Sequence, residues 1–291
     1  MPNSTPRTLD PGTSTVTAVG SAIRRALGAP TERIGFDFNP TVDRIRVVSS
    51  NNANYRLIPV TGGIAATDPN VAYSGGTPAD PGVGAVAYTN AYVGTPPASA
   101  TLYDVDCLNN GLLSIQNPAT GVLTAQSTIQ FVITGGSSPG TYGIGSPDAL
   151  GLDIYYNPNT NQNVGYLTKV TEVRSSGSRA SNTYRIDLAT GVATQLGNTV
   201  LSTAFPRFNF EIRDLTVAIV TVPAITWNGL VSTDWRTALN WTPNIVPGPP
   251  NDVVIPGNTH FQPTAPANPR PHPGQRRSGD ADRRQLPDCG R

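Results

Sequence analysis

Two short patterns alternate along this chain, and their recurrence narrows the folds open to it more than any other feature. The first is an apolar strand entered through glycine and left through Asn-Pro: Ile34-Gly35-Phe36-Asp37-Phe38-Asn39-Pro40, then Leu150-Gly151-Leu152-Asp153-Ile154-Tyr155-Tyr156-Asn157-Pro158, with weaker copies at 84–90 and 213–219. The second is a hairpin closed by Thr-Gly: Tyr184-Arg185-Ile186-Asp187-Leu188-Ala189-Thr190-Gly191-Val192, echoed around Asn117 to Gly121, around Thr61-Gly62, and from Leu9 to Thr17. An Asp or Asn ahead of Thr-Gly supplies side-chain bonds to the turn backbone, and glycine supplies the positive φ that a tight hairpin needs. The acidic residue of this pattern is therefore read as a turn builder rather than a ligand. Repetition of one supersecondary unit predicts a propeller-like or solenoid β architecture.

Starts of the first pattern lie roughly 50 to 65 residues apart, and a four-stranded blade needs about 40 to 50. The surplus falls in loops at 70–82 and 135–147. Three blades result, with an orphan outer hairpin at 9–20 and an orphan inner strand at 214–220. Joined, the orphans would close a ring of four blades, which is the low limit for a propeller. Further blades upstream of this chain are the preferred reading. The segment 21–33, with the one stretch of helical look, is read as a connector.

Composition agrees with this. There are 29 Gly and 28 Pro in 291 residues, which favours turns over helix. Charged residues make up only 13%, and Thr, Asn, Ser and Gly fill much of the rest, the make-up of extracellular bacterial β-proteins. Lys169 is the single lysine and the formal net charge is +1, which points away from nucleic acid and from a polybasic membrane patch. No run of 18 apolar residues exists to make a membrane-spanning helix, so membrane insertion is not expected. Cys107 and Cys289 lie far apart in unlike contexts, and a disulfide between them is not expected. The first residues lack the apolar core of a signal peptide, which in a secreted-looking chain suggests a start downstream of the true one.

After Val222-Pro223 the texture changes. All three tryptophans, Trp227, Trp235 and Trp241, fall in the stretch that leads to Asp252-Val253-Val254-Ile255-Pro256. They could form a sugar-stacking platform, but a packed cap on the end of a β-solenoid is favoured, since Trp contributes so much burial. From Pro263 to Arg291, Arg, Pro and Asp dominate and too little apolar surface remains to fold. A tail translated in a shifted frame explains this composition better than a basic binding tail. The boundaries read from the sequence are 1–32, a partial blade and connector; 33–222, a propeller-like domain; 223–262, the Trp-rich start of a second β region; and 263–291, a disordered tail.

Chemistry is sparse. His260 and His272 are the only histidines and both lie near the C-terminus, so no Ser-His-Asp triad or His-ligated metal can assemble in the repeats. Asp37 and Asp153 occupy equivalent points of inner strands, where a propeller channel could bind Ca²⁺ through carboxylates and the Asn90 carbonyl. The same placement lets each carboxylate bond the backbone of a neighbouring strand, and that reading is favoured. Strand alternation puts Arg44 and Arg46 on one face and Ile45 and Val47 on the other. An Arg-Asp ladder across neighbouring strands is the favoured use of those arginines. The loop Gly135-Gly136-Ser137-Ser138-Pro139-Gly140 lacks the helix a phosphate loop requires.

The run Gly35 to Ser49, with Tyr55-Arg56-Leu57, Ala87-Tyr88-Thr89-Asn90, Thr101-Leu102-Tyr103-Asp104-Val105-Asp106 and Gln116-Asn117-Pro118, resembles a family of secreted bacterial proteins known only as a domain of unknown function with propeller-like repeats. The resemblance spans roughly 9–220 and implies a fold and a location, with no catalytic residue. The segment 226–256 is similar to the opening of β-helical adhesin-like regions on Bacteroidetes-type surface proteins. The sequence thus predicts an all-β, secreted or surface-attached protein with a non-enzymatic binding or structural role toward an unidentified extracellular partner. The alternatives are a lactonase-like hydrolase with Ca²⁺ held by Asp37, Asp153 and Asn90, and carbohydrate binding through the tryptophans.

Overall fold

The computed structural model describes residues 3–4, 6–10, 12–20, 23–24, 27–29, 32–93, 96–132, 150–157, 160–173, 178–199, 214–219, 225–247, 253–264 and 275–277. They form two compact units: residues 1–91, 98–156 and 163–218 make the first, and 92–97, 157–162 and 219–291 the second. Almost all regular structure in both is strand.

The first unit holds three antiparallel meanders laid out in chain order. The first sheet comprises Ile34–Asn39, Arg44–Ser49, Asn54–Leu57 and Ile64–Thr67. The second comprises Val83–Tyr88, Leu102–Asp106, Leu112–Gln116 and Val122–Thr128. The third comprises Leu150–Asn157, Gln162–Val173, Ser178–Ile186 and Val192–Thr199. A separate hairpin, Arg7–Asp10 with Thr15–Ala18, precedes the first sheet.

Each meander hands the chain to the next in the same way. Ala72–Tyr73 leaves the first sheet and runs parallel to Val122 and Leu123 of the second. Gln130–Val132 leaves the second sheet and runs parallel to Val192 to Thr194 of the third. These short parallel strands were not legible in the sequence, where 70–82 reads as loop. They add a fifth strand to the outer edge of the second and third sheets, covering N–H and C=O groups that would otherwise be open.

The Thr-Gly turns are the points of hand-over. Asp187 Oδ1 accepts the N–H groups of Ala189 at 2.8 Å and Thr190 at 3.1 Å, and Gly191 N donates to Asp187 O at 2.8 Å. Asn117 repeats the pattern with Ala119 and Thr120, and Asp10 with Gly12 and Thr13. Gly121 (φ 72°) and Gly191 (φ 75°) meet the left-handed requirement. Space is the second requirement: a Cβ on Gly121 would lie 2.6 Å from Pro69 O, and one on Gly191 would strike Ser127 in the last strand of the second sheet, Val122–Thr128. Gly62 (φ 63°) has the same relation to Val19 O, which follows the N-terminal hairpin.

Two apolar seams hold the sheets together. Val48, Val71 and Tyr73 meet Val83, Val86, Tyr88, Leu102 and Leu123 between the first and second sheets. Ala85, Ala87, Val105, Cys107 and Leu113 meet Leu150, Leu152, Ile154, Leu167, Tyr184 and Ile186 between the second and third. A bulge between Val83 and Ala85 reconciles the two. It shifts the two-residue alternation by one, so Val83 and Val86 face back while Ala85 and Ala87 face forward. Each large apolar side chain buried in these seams contributes about 1.5–3 kcal/mol.

The second unit is built around Ile225–Trp227, which pairs antiparallel with Trp241–Thr242 and parallel with Val253–Ile255; Gln275–Arg277 adds in parallel on the far side. Two short strands lie where the sequence reads a disordered tail and a connector. Gln275–Arg277 lies within the segment read as disordered; the remainder of 265–291 lies outside the described residues, as does Cys289. Ile23–Arg24, in the stretch with a helical look, is a strand paired with Asn3–Ser4.

Candidate functional site

Asp37 and Asp153 sit in the leading strands of the first and third sheets, each two residues after a glycine. Period-two alternation places that glycine and the aspartate on the same face. A Cβ on Gly35 would meet Val86 N at 2.8 Å, and one on Gly151 would meet Asp214 Cα at 2.6 Å. Glycine thus lets the next segment of backbone approach, and the aspartate two residues on fastens it. Asp37 Oδ2 accepts Tyr88 N–H at 2.6 Å while Oδ1 accepts its neighbour Phe38 N–H at 2.7 Å. Asp153 repeats the arrangement, with Val217 N–H at 2.5 Å and Ile154 N–H at 2.7 Å.

Burial pushes the Asp37 carboxyl up to about 7; the Tyr88 and Phe38 N–H groups oppose the shift, and the charges of Asp153 and Asp214 add to it. Asp214 is also pushed up, first by burial, with Asp153 contributing and the Leu215 N–H opposing. The structure therefore brings Asp37 within electrostatic range of Asp153. It engages Asn90 differently. Asn90 (φ 62°) donates its N–H to Asn163 Oδ1 at 2.7 Å, its Oδ1 accepts from Asn163 Nδ2 at 2.9 Å, and its amide donates to Ser99 O. All four carboxylate oxygens of Asp37 and Asp153 already accept an N–H. Among the described residues no group of three or more His, Cys, Asp or Glu is placed to hold a metal ion.

A second polar cluster lies in the seam between the first and second sheets. Arg46, 1% exposed, donates Nη1 to Asn54 Oδ1 at 2.6 Å and to Asp68 Oδ2 at 2.7 Å, Nη2 to Pro118 O at 3.0 Å and Nε to Tyr88 OH at 3.4 Å. Arg56, opposite Arg46 in register, closes on the other Asp68 oxygen at 2.7 Å. The expected Arg-Asp pairing is present for Arg46, with Asp68 as its hub, while Arg44 donates instead to the backbone carbonyl of Asp43. Asp106 gathers the N–H groups of Gly82, Leu108 and Asn109 on one oxygen and Tyr73 OH with the Asn109 amide on the other. The roles of Asp68 and Asp106 were not legible in the sequence, since Asp68 draws Arg56 and Arg46 from 12 and 22 residues away and Asp106 draws Gly82 and Tyr73 from 24 and 33 residues away.

In the second unit, Trp227 and Trp241 are fully buried and meet edge to face with centroids 4.9 Å apart. Their indole N–H groups donate to Phe261 O and Trp235 O. Trp235, half-buried, stacks on Trp227. Trp227 and Trp241 pack against each other, Trp235, Ile225, Val253 and Ile255, and neither ring is exposed at the surface.

No curated protein and no solved structure matches the chain. A family model described as a domain of unknown function, DUF4394, matches residues 3–207, which takes in the N-terminal hairpin and all three meanders, and the chain belongs to that family.

Proposed function

We propose that this chain is a non-enzymatic binding or structural module of a secreted or surface-attached protein, with the three meanders as successive blades of a propeller-like array and the Trp-rich unit as the start of a β-solenoid. One observation carries the non-enzymatic reading. The acidic side chains of the leading strands, Asp37 and Asp153, both fasten the N–H of an adjoining segment, the work of a clasp between repeats. The hand-over strands and the parallel stack of Ile225–Trp227, Val253–Ile255 and Gln275–Arg277 support the architectural part. The low charge and the abundance of Thr, Ser, Asn and Gly support the location.

The test is thermal melting with and without millimolar Ca²⁺, alongside an assay of lactone hydrolysis. Unchanged melting and no turnover are expected. A saturable rise in melting temperature, with hydrolysis that disappears in Asp37→Asn and Asp153→Asn, would replace this reading by the hydrolase.

A further inference from the structure

Between the first and second sheets, two polar side chains have no hydrogen-bond partner. Asp104 is 0% exposed and Gln116 is 1% exposed, and both carboxylate oxygens of the one and both amide atoms of the other are unbonded. They are neighbours. Asp104 pairs with Ser114 and Leu102 with Gln116, so Asp104 and Gln116 are diagonal partners on one face, within reach of each other for long side chains. That face is the one carrying Val86, Leu102 and Leu123, and it looks into the seam with the first sheet.

Arg46 enters the same seam. Four of its five N–H donors are placed, on Asn54, Asp68, Pro118 and Tyr88, and its charge acts on Asp104. One guanidinium N–H remains. Four buried polar atoms left dry would consume much of the stability of an ordinary domain. Buried polar groups of native proteins are paired with protein or with ordered water.

We propose that the seam encloses a hydrated internal site, in which ordered water joins the Asp104 carboxyl, the Gln116 amide and the remaining N–H of Arg46. Water suits the donor set because it gives and accepts, and a buried water makes about three bonds to polar groups. A metal ion suits it less well. It would leave Gln116 Nε2 without an acceptor and would sit beside a guanidinium.

The experiment is a double-mutant cycle on the whole chain with Asp104→Leu and Gln116→Leu, read as melting temperature. Each single variant strands the water and the surviving partner, so each lowers the melting temperature by roughly 2–4 °C or more. The double variant expels the water once, so it loses less than the sum. Single variants that melt higher than the parent, or losses that simply add, would overturn the proposal. Should Asp104→Leu fail to fold, Asp104→Val and Gln116→Met give the same cycle. Parent melting in sodium, potassium and choline chloride at equal ionic strength is expected to coincide; a rise selective for one cation would assign the site to that ion instead. High-resolution density is expected to show water bridging Asp104 and Gln116, and a dry seam there would refute the hydrated site.

Discussion

Asp37→Asn should reverse the sign of its effect on stability between acid and alkaline pH. Burial, with Asp153 and Asp214 nearby, raises the folded-state value of Asp37 from 3.8 to about 7. A raised carboxyl contributes stability that is complete below about pH 3.8 and is lost as the pH rises through 7, because only the unfolded chain ionises freely. At about 1.4 kcal/mol per unit, the loss amounts to roughly 4 kcal/mol by pH 8. The Asn variant does not titrate, so it escapes that loss. It has its own cost: one carboxylate oxygen becomes an NH₂ that faces either Tyr88 N–H or Phe38 N–H, and an unmet donor costs roughly 1–3 kcal/mol. The variant is thus roughly 1–3 kcal/mol less stable than the parent at pH 3.5 and, by the difference, about 1–3 kcal/mol more stable at pH 8. Urea midpoints of both proteins from pH 3.5 to 8 measure this directly, since taking the difference cancels every other titrating group. A difference that stays flat across that range would show that Asp37 is ionised throughout and that the clasp does not bury its charge.

Three further outcomes follow from the geometry. Asp68→Asn should cost roughly 3–5 kcal/mol in urea unfolding by leaving the buried Arg46 without its ion partner; Arg56→Met, whose side chain is 42% exposed, should cost under about 1 kcal/mol, and equal losses would contradict the burial argument. Gly191→Ala should destabilise by more than Gly75→Ala: both have positive φ, but a Cβ strikes Ser127 at Gly191 and meets nothing at Gly75. The second loses about 1 kcal/mol for backbone strain alone, and calorimetric melting of the two variants compares them. Soluble glycans should leave tryptophan fluorescence unchanged, and Trp241→Ala should cost the second unit roughly 3–5 kcal/mol, read by its near-UV circular dichroism.

The hairpins were legible because their chemistry is local. Asp187, Asn117 and Asp10 each bond N–H groups two and three residues on, and Gly121 and Gly191 answer a φ that any Thr-Gly turn of this kind requires. The Gly-x-Asp pattern of the leading strands was legible as a repeat, and the favoured use of Asp37 and Asp153 as bonds to neighbouring backbone matches what the structure places there. Which N–H each would hold was not, since Tyr88 and Val217 lie 51 and 64 residues away. Arg46 could be assigned a face by alternation; that the face is sealed could not.

By itself, then, the sequence determined what short-range sterics and hydrogen bonding determine: strands of period two, turns at Asp/Asn-x-x-Thr-Gly and an all-β chain. Tertiary structure alone decided which acidic groups ionise easily and which do not. The Asx-turn oxygen of Asp187 sits at the surface, held below its ordinary range by the Ala189 and Thr190 N–H groups, while Asp37 and Asp104 are pushed up because packing of the sheets removes water from them. Identical carboxyl groups diverge in this way because desolvation is set by what the rest of the chain lays over them, which no local pattern records.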